Sequence, residues 1–495
     1  VTTPTCHPVP SVSSSLDSSA LGPTSWVVGR AEVSSRCSRL RRYLPLVVLS
    51  TAAGLDAGGV AILNSALPSM GAQFGTSAQT LSWAVSGYAL AFAGLLLCGG
   101  AMADRLRRRQ VLVWGLAMIA AGGVLAFTAP VFWLILVGRI LQGIGAAITM
   151  PAATALLTSV YPDDPMRSRA LGVFSSAQAG CYAAGLVVGG LITTALGWRW
   201  VFALQVLVAM LTAAAALRWL PVTARQCQQR VDRVGAGALV TAITLVILAA
   251  DMASRDNGAG LAAAMLVIAA SAGYLWWRRS RADGEQASLL DPAMLRLGSV
   301  RTAAVAACVF FFCVTGSLFL LPLYLQQVRG MSAASSGLAI LPVSLAVSAT
   351  ALLAGRLMKT RGPRVLLTLG IPLTAGGVLL WCTAETHSPY LGGILAGLII
   401  TGIGQGLTFP AVIAIGLQDV PDAAHGMASA ITVTALQIGS AIGPTVLAGI
   451  AQSTAVTADG GLSLTGYHLA FAVAAATLVL IAVPVVARLP KRPAQ

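Results

Sequence analysis

From about residue 44 onward, apolar runs of eighteen or more residues recur along the chain, separated by short polar stretches rich in arginine. Each run is long enough to cross about 30 Å of hydrocarbon as an α-helix. The pattern predicts fourteen spans, at roughly 44–66, 80–101, 111–129, 131–155, 168–194, 198–220, 234–252, 259–277, 302–324, 336–357, 365–383, 389–416, 427–450 and 467–487. Residues 1–43 are rich in Ser and Pro and end in Arg36, Arg39, Arg41 and Arg42. They read as a disordered cytosolic tail and not as a cleavable signal peptide, because the apolar run starts only after residue 43 and more spans follow.

Composition fits a multi-pass helical membrane protein. The chain is 57% hydrophobic and 9% charged, where a soluble protein carries about a quarter charged residues. The net charge of +15 would suit a nucleic-acid binder, but its distribution speaks for membrane orientation instead. With a cytosolic N-terminus, all but four of the 31 basic residues fall in inside loops or tails; the exceptions are Arg199, Arg255 and Arg329 outside and Arg139 within a span. Both ends are therefore expected in the cytosol, at the plasma membrane.

Other functional classes lack their motifs. The eight cysteines are scattered without CxxC or Cys/His spacing, so neither a disulfide framework nor a metal site is expected. Neither lysine, Lys359 nor Lys491, follows a glycine, so there is no P-loop for ATP. Clustered catalytic polar groups are missing from the spans, and the chain does not read as an enzyme. No cofactor is expected.

An internal repeat organises the spans. GRILQGIGAAITMPA (138–152) and GLIITGIGQGLTFPA (397–411) agree at eight of fifteen positions. GAMADRLRRR (100–109) pairs with GRLMKTRGPR (355–364), and GLVVGG (185–190) with GPTVLA (443–448), in the same order. Parallel repeats fit a transporter of two six-helix bundles. The expected division is a tail at 1–43, a first bundle at 44–220, a linker with spans 7 and 8 at 221–298, a second bundle at 299–487 and a tail at 488–495.

Asp56 is the most costly residue in this plan. It sits in TAAGLDAGGVAILNSALP, roughly 18 Å into span 1, where a carboxylate costs about 2.5–3.5 kcal/mol on insertion scales. Two readings stand: a proton carrier, or a structural acid bonded inside the bundle. Arg139 enters from the outer side to a similar depth and cannot deprotonate. It can modulate an acid or hold a helix contact with the span-1 backbone or Gln142. Asp104, at the cytosolic end of span 2, can favour a helix N-terminus. The glycines of spans 4, 5, 12 and 13 let helices approach closely. The aromatics Trp83, Tyr88, Phe92, Phe310, Phe311, Phe312 and Phe319 and the amides Gln178, Gln405 and Gln437 are substrate-pocket candidates, each weighed against simple packing. Asp251, near Arg255 and Asp256, reads as an interfacial ion cluster.

These features resemble the major facilitator superfamily, in its fourteen-span drug:proton antiporter branch. The loop after span 2 resembles the family pattern G-x-x-x-D-R-x-G-R-R through Gly100, Asp104, Arg105, Arg108 and Arg109, with Arg107 in place of the inner glycine. Span 4 resembles R-x-x-Q-G-x-G through Arg139, Gln142, Gly143 and Gly145, and WRWVF (198–202) resembles the branch's entry to span 6. Two positions depart. Span 5 has Gly185-Leu186 where such antiporters usually carry Gly-Pro, while the second half has Gly443-Pro444; Gly189 and Gly190 continue the span-5 series. Asp56 precedes Asn64 by eight residues where the family acid precedes it by about five.

The resemblance implies an all-helical two-bundle fold with an extra hairpin. It implies export of a hydrophobic or amphiphilic drug or natural product in exchange for protons, by alternating access. Asp56 and Arg139 would couple to protons, and the loop with Asp104, Arg105, Arg108 and Arg109 would latch the bundles. The expected partners are the lipid bilayer, protons and a small-molecule substrate, without nucleic acid, and the protein is expected to act as a monomer. The competing readings are symport of a small metabolite and a non-transporting sensor on the same fold.

Overall fold

The computed structural model describes residues 28–161, 164–222, 233–253, 258–282, 294–385, 389–421, 425–453 and 463–487. Those residues are helical, with turns between the helices and without a strand. In chain order the helices are α1 (Val28–Phe74), α2 (Ala78–Arg105), α3 (Arg108–Phe127), α4 (Phe132–Val160), α5 (Asp164–Ala195), α6 (Arg199–Trp219), α7 (Arg233–Ala253) and α8 (Ala259–Ala282). There follow α9 (Gly298–Leu323), α10 (Ala333–Leu380), α11 (Gly393–Leu417), α12 (His425–Ser453), α13 (Leu464–Thr477) and α14 (Val483–Ala487). A π-helical turn extends α9 over Tyr324–Val328, and another joins α13 to α14 over Leu478–Ala482.

Among the described residues, twelve helical segments are long and apolar enough to cross a membrane. Two of them, Ala333–Met358 and Thr360–Thr383, are the limbs of α10, which turns at Gly362. The twelve do not count α2 or α7, each of which includes residues whose side chains lie outside the described ones; the described apolar run of α7 is Gly237–Ala250. Both still pack into the molecule, α2 against α4, α12 and α7, and α7 against α8 and α12.

The repeat is visible in the turns as well as the spans. Gly75 and Gly330 both take positive φ, 60° and 65°. Two residues later, Ser77 accepts a hydrogen bond from Thr80 N, and Ser332 one from Ser335 N. Glycine supplies the left-handed turn and serine caps the exposed N–H groups of the next helix.

Helix seams repeat too. A Cβ on Gly115 or Gly122 of α3 would strike Gly145 and Thr149, or Gly138 and Gln142, of α4. Gly370 and Gly377, on the second limb of α10, face Gly404 and Thr408, or Gly397 and Thr401, of α11 in the same stagger. Without a hydrophobic drive between helices in lipid, such small-residue contacts supply the packing.

The inner glycine of the span-2 loop pattern explains itself here. Gly362, its second-half counterpart, sits at φ 74° and ψ 159°, a conformation that essentially only glycine adopts. Arg107 turns the chain with φ −65° and ψ 109°, which any side chain tolerates.

The two sequence halves meet tightly at the end of the molecule that carries the α1–α2 turn. Ser86 and Thr445 share a hydrogen bond of 2.8 Å between α2 and α12. Gln326 of the π-turn donates to Ser65 O of α1 at 3.3 Å. Ala334 N at the start of α10 donates to Thr194 of α5 at 3.1 Å. Toward the other end of the same helices, Gly172, Val173, Ser175 and Ser176 of α5 and Leu352 and Leu353 of α10 are exposed.

Candidate functional site

The buried polar residues of the first six helices converge on Asp56. This carboxylate is half-buried on α1. Tyr88 of α2 donates its phenolic O–H to Asp56 Oδ1. The face of the Tyr88 ring carries the Arg139 guanidinium, whose Cζ stands 4.4 Å from the ring centroid, a cation–π arrangement. Tyr88 therefore contacts both the carboxylate and the guanidinium, one with its hydroxyl and the other with its ring.

Arg139 is only 1% exposed on α4. Its Nε donates to Ala84 O of α2 at 2.9 Å and its Nη1 to Gln142 Oε1 at 2.8 Å. Gln142 Nε2 donates to Gln205 Oε1 of α6 at 2.8 Å, and Gln205 Nε2 donates to Gly59 O of α1 at 3.3 Å. The chain of bonds thus returns to α1 one turn beyond Asp56. With Leu55 and Ile119, these residues enclose a cavity of about 10 Å³, at the lower limit for a single water molecule.

Small residues make this convergence possible. A Cβ on Gly143 would meet Tyr88 O and Ala91, so α4 can press Arg139 against α2 only with glycine there. Gly122 and Gly123 of α3 leave room for the Gln142 side chain. Gly145 lies against Gly115 and Ile119 on the same seam.

Of the two pairings open to Arg139 in the sequence, the one with Gln142 is present, and its backbone partner belongs to α2 instead of α1. The shifted position of Asp56 still faces the cavity that Arg139 lines. Tyr88, a substrate-pocket candidate by sequence, is committed to Asp56. Phe92 is 5% exposed and stacks edge-on against Tyr88 with centroids 6.1 Å apart.

In the loop pattern, Asp104 and Arg105 end the backbone of α2, and their side chains lie outside the described residues. Gly100 has open space where a Cβ would stand. Arg108 donates to Ala155 O of α4 at 3.1 Å. Arg109 donates to Leu217 O and Leu220 O at 3.3 and 3.0 Å, a cation on the carbonyls that close α6.

The span-5 and span-13 glycines lie in helix seams. Gly185 packs on Gly58 and Ala61 of α1, Gly189 on Ile62, and Gly190 on Ala333 and Ala334 of α10. Gly443 packs on Phe312 of α9, next to Pro444 inside α12. In WRWVF, Trp198 is buried and donates to Gln73 Oε1 at 2.7 Å, fixing the end of α1 to the start of α6.

The remaining candidates separate by burial. Phe310 and Phe319 are core residues at 1% and 0% exposure. Phe311 is half-buried between Phe310 and Phe409, with edge contacts at 5.6 and 5.9 Å. Gln178 and Gln437 are half-buried on α5 and α12, and Gln405 on α11 keeps a buried Nε2 without a hydrogen-bond partner. The side chain of Asp251, with Arg255 and Asp256, lies outside the described residues. Sequence reading missed Gln205; its one signal was an amide within the apolar run of α6, VFALQVLVAML.

Comparison with known proteins places this architecture. The sequence model of the Major Facilitator Superfamily matches residues 49–444. The chain is 32% identical to the puromycin resistance protein pur8 of Streptomyces alboniger over 471 residues, covering 90% of each chain. It is 31% identical to the cephamycin export protein CmcT of Amycolatopsis lactamdurans, covering 81% of this chain and 83% of that one. It is 27% identical to the multidrug resistance protein Stp of Mycobacterium tuberculosis, covering 79% and 72%. Among solved structures, the human organic anion transporter MFSD10 superposes with a TM-score of 0.63 over 90% of this chain and 99% of its own, at 16% identity.

Proposed function

The chain belongs to the Major Facilitator Superfamily, and from that premise we propose that it exports a hydrophobic or amphiphilic drug or natural product in exchange for protons. The export reading draws on the relatives named for puromycin resistance, cephamycin export and multidrug resistance. The observation that carries proton exchange is the Asp56–Tyr88–Arg139 arrangement at mid-helix depth in α1, α2 and α4. Arginine keeps its proton, so Asp56 is the group of this pair that can change charge, and an intramembrane carboxylate with named partners is a functional-site candidate by default.

In the proposed cycle, substrate enters from the cytosol with Asp56 ionised. The two bundles, 44–220 and 299–487, then rock to expose the substrate outside. Protonation of Asp56 from outside favours substrate release, and proton release inside resets the protein. The contacts at the α1–α2 end and the exposed stretches of α5 and α10 at the other end support an inward-facing state. In this reading α2 and α7 also span the membrane, giving fourteen spans with α7 and α8 as an added hairpin. The protein acts as a plasma-membrane monomer with both termini cytosolic, and the proton gradient is its energy source.

The test is transport in proteoliposomes with an imposed pH gradient, using puromycin and ethidium as probes, alongside susceptibility of an efflux-deficient host to several drug classes. Gradient-driven accumulation that is lost in Asp56→Asn supports the reading. Accumulation unaffected by that substitution overturns proton coupling through Asp56. Flux in the direction of the proton gradient identifies a symporter instead, the alternative to which Leu186, in place of the usual proline, lends weight.

A further inference from the structure

Gln205 lies on α6, outside every sequence motif of this chain, and ends a hydrogen-bond chain whose direction can have only one sense. Gly59 O on α1 can only accept, so Gln205 must turn its Nε2 toward it. That leaves Gln205 Oε1 facing Gln142, which must therefore donate with Nε2. The Gln142 carbonyl then faces Arg139, whose guanidinium can only donate. An acceptor-only group at one end and a donor-only group at the other fix both amides between them.

We propose that Gln205 is a positioning residue for proton coupling: by locking the Gln142 amide, it holds the Arg139 guanidinium over Tyr88 and so sets the charge environment of Asp56. The inference rests on the proton-exchange reading for its function, but its geometry can be tested without transport. With Gln205 replaced by an apolar residue, Gln142 Nε2 loses its acceptor, and nothing on α6 holds the Gln142 side chain in place beneath Arg139. The Gln142 carbonyl that receives the guanidinium is then no longer held from α6, while the bond to Ala84 O is untouched.

Among the described residues, the groups that face Asp56 are few. Tyr88 from α2 and Arg139 from α4 meet it directly or through one contact. Cys181 of α5 lies against Gly54 and Gly58 on the same helix. The cavity neighbours on α3 and α6, Ile119 and Gln205, do not titrate. Gln205 itself lines that cavity, so the Gln142→Met and double variants are needed to separate transmission through Gln142 and Arg139 from the loss of one cavity-lining amide.

The experiment is infrared titration of the carboxylic acid C=O band in the purified full-length protein, the band being assigned to Asp56 by its loss in Asp56→Asn. The comparison is wild type against Gln205→Met, Gln142→Met and the double variant, with folding followed by size-exclusion profile. A displaced midpoint in Gln205→Met, the same displacement in Gln142→Met, and no further displacement in the double variant are expected, since one chain is cut in each case. An unchanged midpoint in folded Gln205→Met overturns the proposal. Failure of both Gln205→Met and the polar variant Gln205→Glu to give folded protein overturns it too, making Gln205 a packing residue. Because the band needs no substrate, this result is separate from the transport assay that tests the function.

Discussion

Ser86 of α2 and Thr445 of α12 share a 2.8 Å hydrogen bond across the two sequence halves, and Ser82 reaches the same threonine at 3.4 Å. Thr445 directly follows the Gly443-Pro444 pair, so a residue next to a family-like motif joins α12 to α2 near the α1–α2 end. If rocking opens this end, the contact must break in every cycle. In a background free of native cysteines, Ser86→Cys with Thr445→Cys is expected to form a disulfide on oxidation that stops efflux, with reduction restoring it. Continued efflux by fully cross-linked protein would exclude opening at this end.

Tyr88 has two functions that substitution can separate. Tyr88→Phe keeps the ring beneath Arg139 and removes the O–H that bonds Asp56. Its ethidium efflux is expected to show a displaced pH profile with near-normal protein yield. Tyr88→Leu removes the cation–π contact as well, worth about 0.5–2 kcal/mol, and is expected to lower thermal stability in detergent in addition. Identical pH profiles for wild type and Tyr88→Phe would assign the tyrosine to packing alone.

Gly143 presses on Tyr88 O and Ala91. Gly143→Val must push α4 away from α2, and overpacking of this kind costs about 1–3 kcal/mol. Thermal unfolding in detergent is expected at a lower temperature, with loss of efflux because Arg139 moves away from Tyr88. Gly100→Val meets open space and is expected to change stability far less.

Gly362→Ala places a Cβ in a backbone region that costs about 1–3 kcal/mol for any residue but glycine. Arg107→Ala, at the equivalent turn of the first half, carries no such backbone penalty. Paired melting curves should show the larger drop for Gly362→Ala. An equal drop in both would mean that side-chain contacts, not backbone conformation, dominate these turns.

The sequence determined the helical membrane architecture, because an unpaired backbone group in hydrocarbon is so costly that an apolar run of that length has one solution. It also determined the repeat, since glycines, prolines and capping serines act locally and recur wherever the same turn or seam recurs. Asp56 and Arg139 stood out for a related reason: a charge in an apolar run is visible without a fold. The span count is a matter of apolar length, and among the described residues twelve of the fourteen expected spans qualify by it.

Only the tertiary structure decided what Asp56 touches. Tyr88 looked like one more aromatic in a row of pocket candidates, and Gln205 like a stray amide, because a hydrogen-bond partner on another helix leaves no mark on the spacing of its own. Their assignment depends on how closely α1, α2, α4 and α6 approach one another. That approach is set by Gly143, Gly122 and Gly123, which act by what they leave out.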